Sequence, residues 1–170
     1  MSNKEAVVHI YIFKNSEHHI VACQLDDSKN ISLGFSLNDV QLTPLHMLNM
    51  ALGQCLAELT LRFLERRSLK TSCLITIRTT VTATGSARIE DANIVLKLPI
   101  QLSSDDEVIL IRMLHQCPIH AAITGSVSIK MQVCEDREAI SQYERNILTH
   151  VQHAEKATPF TSVPDYALRL

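Results

Sequence analysis

Two cysteines, Cys55 and Cys117, stand 62 residues apart on what read as two different helices, so the fold could bring them together. A thiolate is a strong nucleophile, and a second thiol nearby resolves a sulfenic acid into a disulfide. Cys55 lies in LTPLHMLNMALGQCLAEL, residues 42–59, a stretch with no charge until Glu58. It can be read there as a small hydrophobe filling apolar space or as a reactive thiol in a dry site. Cys117 precedes Pro118, the pattern of a helix N-cap followed by a first-turn proline. Its sulfur would then face free backbone N–H groups, which favour a thiolate. Cys23, Cys73 and Cys134 fall in strand patterns and read as buried fillers.

Histidines supply the other candidate chemistry. His46 opens the helix that carries Cys55 and could act as its partner only by folding back or across a subunit interface. His115, Cys117 and His120 are close in sequence, but no second Cys/His pair with ligand spacing accompanies them, so no metal site is expected. His18, His19, His150 and His153 read as surface residues. No glycine-rich phosphate loop follows any strand, and no cofactor is expected.

The elements that must position the two cysteines follow from patterning. Ala6–Phe13 and His18–Leu25 alternate as an antiparallel hairpin about Lys14-Asn15-Ser16, with 26–30 a loop and a short strand near 31–33. Thr43 offers a cap and Pro44 a first turn to a helix running to about Arg67. Leucines 45, 48, 52, 56 and 59 line one face of it, and Met47, Met50, Ala51 and Cys55 extend the apolar zone nearly all round. Such a helix should be enclosed by protein, with only its charged C-terminal turns at the surface. Thr71–Thr84 and Ala87–Ile100 form a second hairpin around Gly85-Ser86. A helix starts at Ser103, a short one at Cys117-Pro118, and Ser126–Val133 is a last strand. Asp136–Lys156 is an amphipathic helix with Ile140, Tyr143, Ile147, Leu148 and Val151 on one face, followed by an extended tail over 157–170. Strands grouped around a central helix make the class α+β.

Composition bounds the rest. A chain of 170 residues, 46% hydrophobic and 20% charged, suits one globular core. A net charge of −2 disfavours a general grip on nucleic acid, and the one short basic run, Arg66–Lys70, reads as a solvated helix end. Pro44, His46, Asn49 and Gln54 interrupt the apolar stretch, so no membrane span is expected. With no signal-peptide pattern at the start, the five cysteines read as reduced cytoplasmic thiols.

TPLHMLNMALGQC, with its cysteine eleven residues after the proline, together with the downstream Cys-Pro of HQCPIH, resembles the OsmC/Ohr family. These are the osmotically inducible and organic hydroperoxide resistance proteins. The resemblance covers about residues 5–134, an OsmC-like domain, and leaves 135–170 as a C-terminal helix and tail. It implies antiparallel sheets wrapped around a long central apolar helix in an intertwined homodimer, with sites at the subunit interface. It also implies reduction of organic hydroperoxides in oxidative stress defence, with a lipoyl group or small dithiol as reductant. Cys55 would be the peroxidatic thiol and Cys117 the resolving one, within disulfide-forming reach. Two positions depart from the family pattern: Leu45 stands where a glutamate is usual, and no arginine precedes Arg62. The chain therefore looks closer to atypical OsmC-like branches. The alternatives are a module on the same fold that binds a small hydrophobic ligand at the dimer interface, and a regulatory dimer whose 136–170 extension docks a partner.

Overall fold

The computed structural model describes residues 5–14, 20–25, 31–32, 43–82 and 88–154. The expected loop at 26–30, the Gly85-Ser86 turn and the 157–170 tail lie outside them, as does the structure of His18 and His19. In chain order the elements are β1 (Glu5–Lys14), β2 (Ile20–Leu25), β3 (Ile31–Ser32), α1 (Pro44–Glu65), β4 (Cys73–Thr82) and β5 (Arg88–Leu98). α2 (Ser104–Leu114), α3 (Pro118–Thr124), β6 (Ser128–Glu135) and α4 (Arg137–Ala154) complete the chain. Among the described residues no helix is long and apolar enough to cross a membrane.

The strands form one sheet in the order β3-β2-β1-β4-β5-β6. Every pairing is antiparallel except β5–β6, which is parallel. This corrects the expectation of purely antiparallel sheets. The chain leaves the end of β5, crosses back through α2 and α3, and re-enters beside the start of β5, where Asp91 pairs with Ser128. A return over a helical crossover gives a parallel neighbour. Within one chain the helix lies on one face of the sheet, and Met47 and Ala51 on its far flank are exposed.

α1 is started by a reciprocal cap. Thr43 Oγ1 accepts the His46 N–H at 3.2 Å, and the Thr43 N–H donates to His46 Nδ1 at 3.2 Å. This is a capping box with histidine in the place usually held by glutamate or glutamine. At the far end Ser68 takes a left-handed φ of 58°, and the Leu69 N–H bonds back to the Leu64 carbonyl at 3.0 Å. Reversing the chain there is what closes the helix.

The alternation expected for the second hairpin holds along β5, whereas β4 also buries Leu74 and Thr80 on its other face. Cys73, Ile75, Ile77 and Thr79 are buried, and Ile94, Leu96 and Leu98 of β5 are buried beside them. Ile75 lies between Ile12 and Leu96 in register, so three strands present one apolar surface to α1. α1 approaches most closely at Gly53, where a Cβ would sit 2.7 Å from Ile12 Cδ1 and 3.3 Å from Ile77 Cδ1. A side chain there would make the Ile12 side chain shift to keep the helix this low. Leu52, Leu56, Leu61 and Leu64 complete the core with Leu110 and Leu114 of α2. α4 covers the opposite face, where Tyr143 stacks on Phe13 with ring centroids 5.7 Å apart. The Lys97–Asp136 ion pair, 2.7 Å long, fixes the start of α4 to β5.

Candidate functional site

Cys55 sits past the middle of α1, and Cys117 caps α3 with Pro118 at its first position, as the sequence implied. No side-chain capping bond comes from Cys117, because its sulfur turns to Cys55 instead. The two sulfurs are in direct contact, 2.7 Å apart, closer than an ordinary thiol–thiol hydrogen bond and within disulfide-forming reach. Both are free thiols, beyond the covalent S–S length of about 2.0 Å. Cys117 is fully buried, whereas Cys55 is half-buried. Within one chain Cys55 borders the open flank of α1.

Electrostatics set the resting state of Cys55. Burial first, then the Cys117 thiol, then the Glu58 carboxylate push its pKa from 9.0 to about 12. The backbone N–H of Ile119, in the first turn of α3, pulls the other way. The α3 amide expected to serve Cys117 therefore acts on Cys55. Two thiols in contact do not ionise independently, since the first negative charge opposes the second. The direction is upward, and the resting Cys55 thiol keeps its proton at neutral pH.

The histidines divide between structure and vicinity. His46 is committed to the Thr43 cap, and nine residues, about two and a half turns, place it on the opposite side of α1 from Cys55. The structure does not bring these two together within the chain. His120 is buried on α3, with its ring edge against His115 at 4.8 Å between centroids. Its Nδ1 lies 3.2 Å from Thr124 Oγ1, while Nε2 is buried without a hydrogen bond of good geometry. Burial and then His115 lower its pKa, against a small opposing effect of the His115 backbone. Among the described residues no group of three or more His, Cys, Asp or Glu could hold a metal ion.

Two residues near the thiols escaped the sequence reading. Among the described residues Lys14 is the one lysine or arginine that is buried, and its ammonium pairs with Glu58. Glu58 follows Cys55 by three residues on α1 and also accepts from Arg62 Nε at 2.8 Å. The signal for Lys14 was available: it is in phase with Ile12 on the inward face of β1. Cys73, its register partner on β4, is fully buried with Sγ 3.9 Å from the Ala57 carbonyl oxygen. Burial drives the Cys73 pKa to about 12, with Lys14 lowering it and Glu58 raising it. That thiol is a filler, as expected. Cys134 is half-buried in β6, and its pKa too is raised by burial.

No protein-family model matches the chain, and no curated protein matches it. Solved structures do. An OsmC-like protein from Mycoplasma pneumoniae aligns over 79% of this chain and 97% of its own, at 10% identity and a TM-score of 0.50. An organic hydroperoxide resistance protein from Elizabethkingia anophelis aligns over 68% of this chain and 88% of its own, at 17% identity and a TM-score of 0.48. One from Bacillus subtilis aligns over 79% and 98%, at 13% identity and a TM-score of 0.47. The order of strands and helices around Cys55 and Cys117 is thus an α+β architecture already seen in solved structures, and the fold of this chain is the OsmC/Ohr fold.

Proposed function

We propose that this protein is a slow, thiol-dependent reductant of organic hydroperoxides, acting through Cys55 and Cys117. The contact of the two sulfurs at 2.7 Å carries the reading. In the proposed cycle the Cys55 sulfur, once deprotonated, attacks the hydroperoxide. An S–O bond forms, the O–O bond breaks, and the alkoxide takes a proton and leaves as alcohol. The Cys117 sulfur then attacks the Cys55 sulfenic acid, an S–S bond forms, and water departs. A dithiol or lipoyl group returns two electrons and two protons to the pair. The resemblance of TPLHMLNMALGQC and HQCPIH to the OsmC/Ohr family supports this substrate class.

A second reading is favoured by the surroundings of Cys55: burial, the Cys117 thiol and Glu58 all raise its pKa and favour the neutral thiol. A site of that kind suits a module that binds a small hydrophobic ligand without turnover. Both readings use a homodimer formed on the open flank of α1, where Met47 is 57% exposed beside Ala51. Pairing there would set Cys55 at the subunit interface and bury on the order of 1,200–2,000 Å² in total. A monomer by light scattering at micromolar concentration would contradict it.

Turnover of cumene hydroperoxide with a dithiol reductant decides between the readings. The peroxidase reading expects weak activity, abolished by Cys55→Ser and reduced by Cys117→Ser. Activity that survives Cys55→Ser refutes the mechanism. No turnover, with a hydrophobic ligand retained by the purified protein, selects the binding module.

A further inference from the structure

Burying a lysine is costly unless the charge is paired, so a fold that carries one without need is uncommon. Lys14 is 1% exposed at the end of β1, and its partner Glu58 stands one helical turn past Cys55. Positions three apart on a helix are neighbours, so the Cys55 sulfur and the Glu58 carboxylate lie on adjoining parts of α1. Among the described residues, the charged and titratable groups facing this cluster come from four directions. They are Lys14 of β1, Cys73 of β4, Arg62 on the next turn of α1, and Cys117 before α3. Asp106 of α2 is engaged by Arg67 at 2.6 Å, and His120 of α3 turns to His115.

We propose that Glu58 and Lys14 are opposed positioning residues for Cys55: the Glu58 carboxylate holds the thiol in its protonated form, and Lys14 limits that restraint by neutralising Glu58. The pair is a built-in brake, set by the sheet beneath α1 and separate from the sulfur–sulfur contact. Two consequences distinguish it from a strut that merely holds α1 on the sheet. Removing Glu58 should free Cys55 to ionise. Removing Lys14 should do the opposite, because it leaves the carboxylate less compensated. A strut would give changes of one sign, since either loss would loosen the same contact. The effect of Glu58 in raising the Cys55 pKa agrees with the proposed direction. The inference rests on reading Cys55 as the reactive thiol.

Alkylation of the full chain by iodoacetamide at pH 8, with Cys55 followed by peptide mass spectrometry, tests it without any peroxide. Glu58→Gln should speed Cys55 alkylation about threefold, half a pKa unit. Lys14→Met should slow it about two- to threefold, and Lys14→Arg should restore the native rate. Changes of the same sign, or either change below about twofold, overturn the proposal. Should Lys14→Met not fold, the neutral pair K14M/E58Q carries the test, since exchanging both ions is often tolerated. Its Cys55 should alkylate faster than the native protein's, and a slower rate overturns the proposal. Alkylation follows the thiolate and its access and needs no peroxide. Opposite shifts without peroxide turnover would therefore remove the peroxidase reading and leave this one standing.

Discussion

Raising the pH from 7 to 10 is the perturbation that probes the electrostatics of Cys55 most simply. Burial, the Cys117 sulfur at 2.7 Å and Glu58 act in the same direction on the thiol, against the Ile119 N–H alone. With a pKa of about 12, about one thiol in 10⁵ is ionised at pH 7. A free cysteine with a pKa of about 8.5 is about 3% ionised there, a difference of roughly three powers of ten. Cys55 is only half-buried, and solvent screens part of these interactions. The alkylation deficit against free cysteine at pH 7 is therefore expected between about tenfold and a thousandfold. The rate should then climb about tenfold per pH unit up to pH 10 without levelling, where a free thiol flattens above about 8.5. Quenched iodoacetamide labelling measures this, with Cys55→Ser identifying the signal. A plateau below pH 8 would refute the reasoning, because it would require a cation or donor at Cys55 that outweighs burial and Glu58.

Two further predictions concern the frame that holds the site. Ser68, with φ of 58°, pays a backbone cost that glycine does not, so Ser68→Gly should stabilise the chain by about 0.5–1 kcal/mol in urea titration. Asp136 accepts the Ala139 N–H at 3.0 Å and pairs with Lys97, and Asp136→Ala should cost about 0.5–2 kcal/mol as a lost helix cap. The Lys97 hydrogen bond and then the Ala139 N–H lower the Asp136 pKa below 3.8. Its contribution is thus present above the unfolded pKa and lost as pH falls through the lower folded one. The native protein should lose stability there, and Asp136→Ala should lose less, as acid titrations of the two will show.

Local chemistry explains what was legible in the sequence. Thr43-Pro44 and Cys117-Pro118 announce the starts of α1 and α3 through residues in contact along the chain, and both starts stand where expected. The in-and-out pattern of β5 needs only the alternation of a pleated strand. Strand direction is different. β6 alternates in the same way whether parallel or antiparallel, and its direction is decided by the path through α2 and α3. His46 went unread as a cap because the reciprocal position usually carries a longer acid or amide. Lys14 was read into the turn after β1, as charged residues at strand ends normally are. Its phase with Ile12 points inward, but the partner that permits its burial is Glu58, 44 residues away, which no local pattern reveals.

The central claim is that Cys55 and Cys117 work as a redox pair. One equivalent of cumene hydroperoxide added to the reduced protein, followed by peptide mass spectrometry, tests it most directly. The account predicts loss of two hydrogens and a Cys55–Cys117 cross-link that dithiothreitol reverses, with Cys73 and Cys134 unchanged. Accumulation of sulfinic or sulfonic acid at Cys55, with Cys117 still reduced, would contradict it.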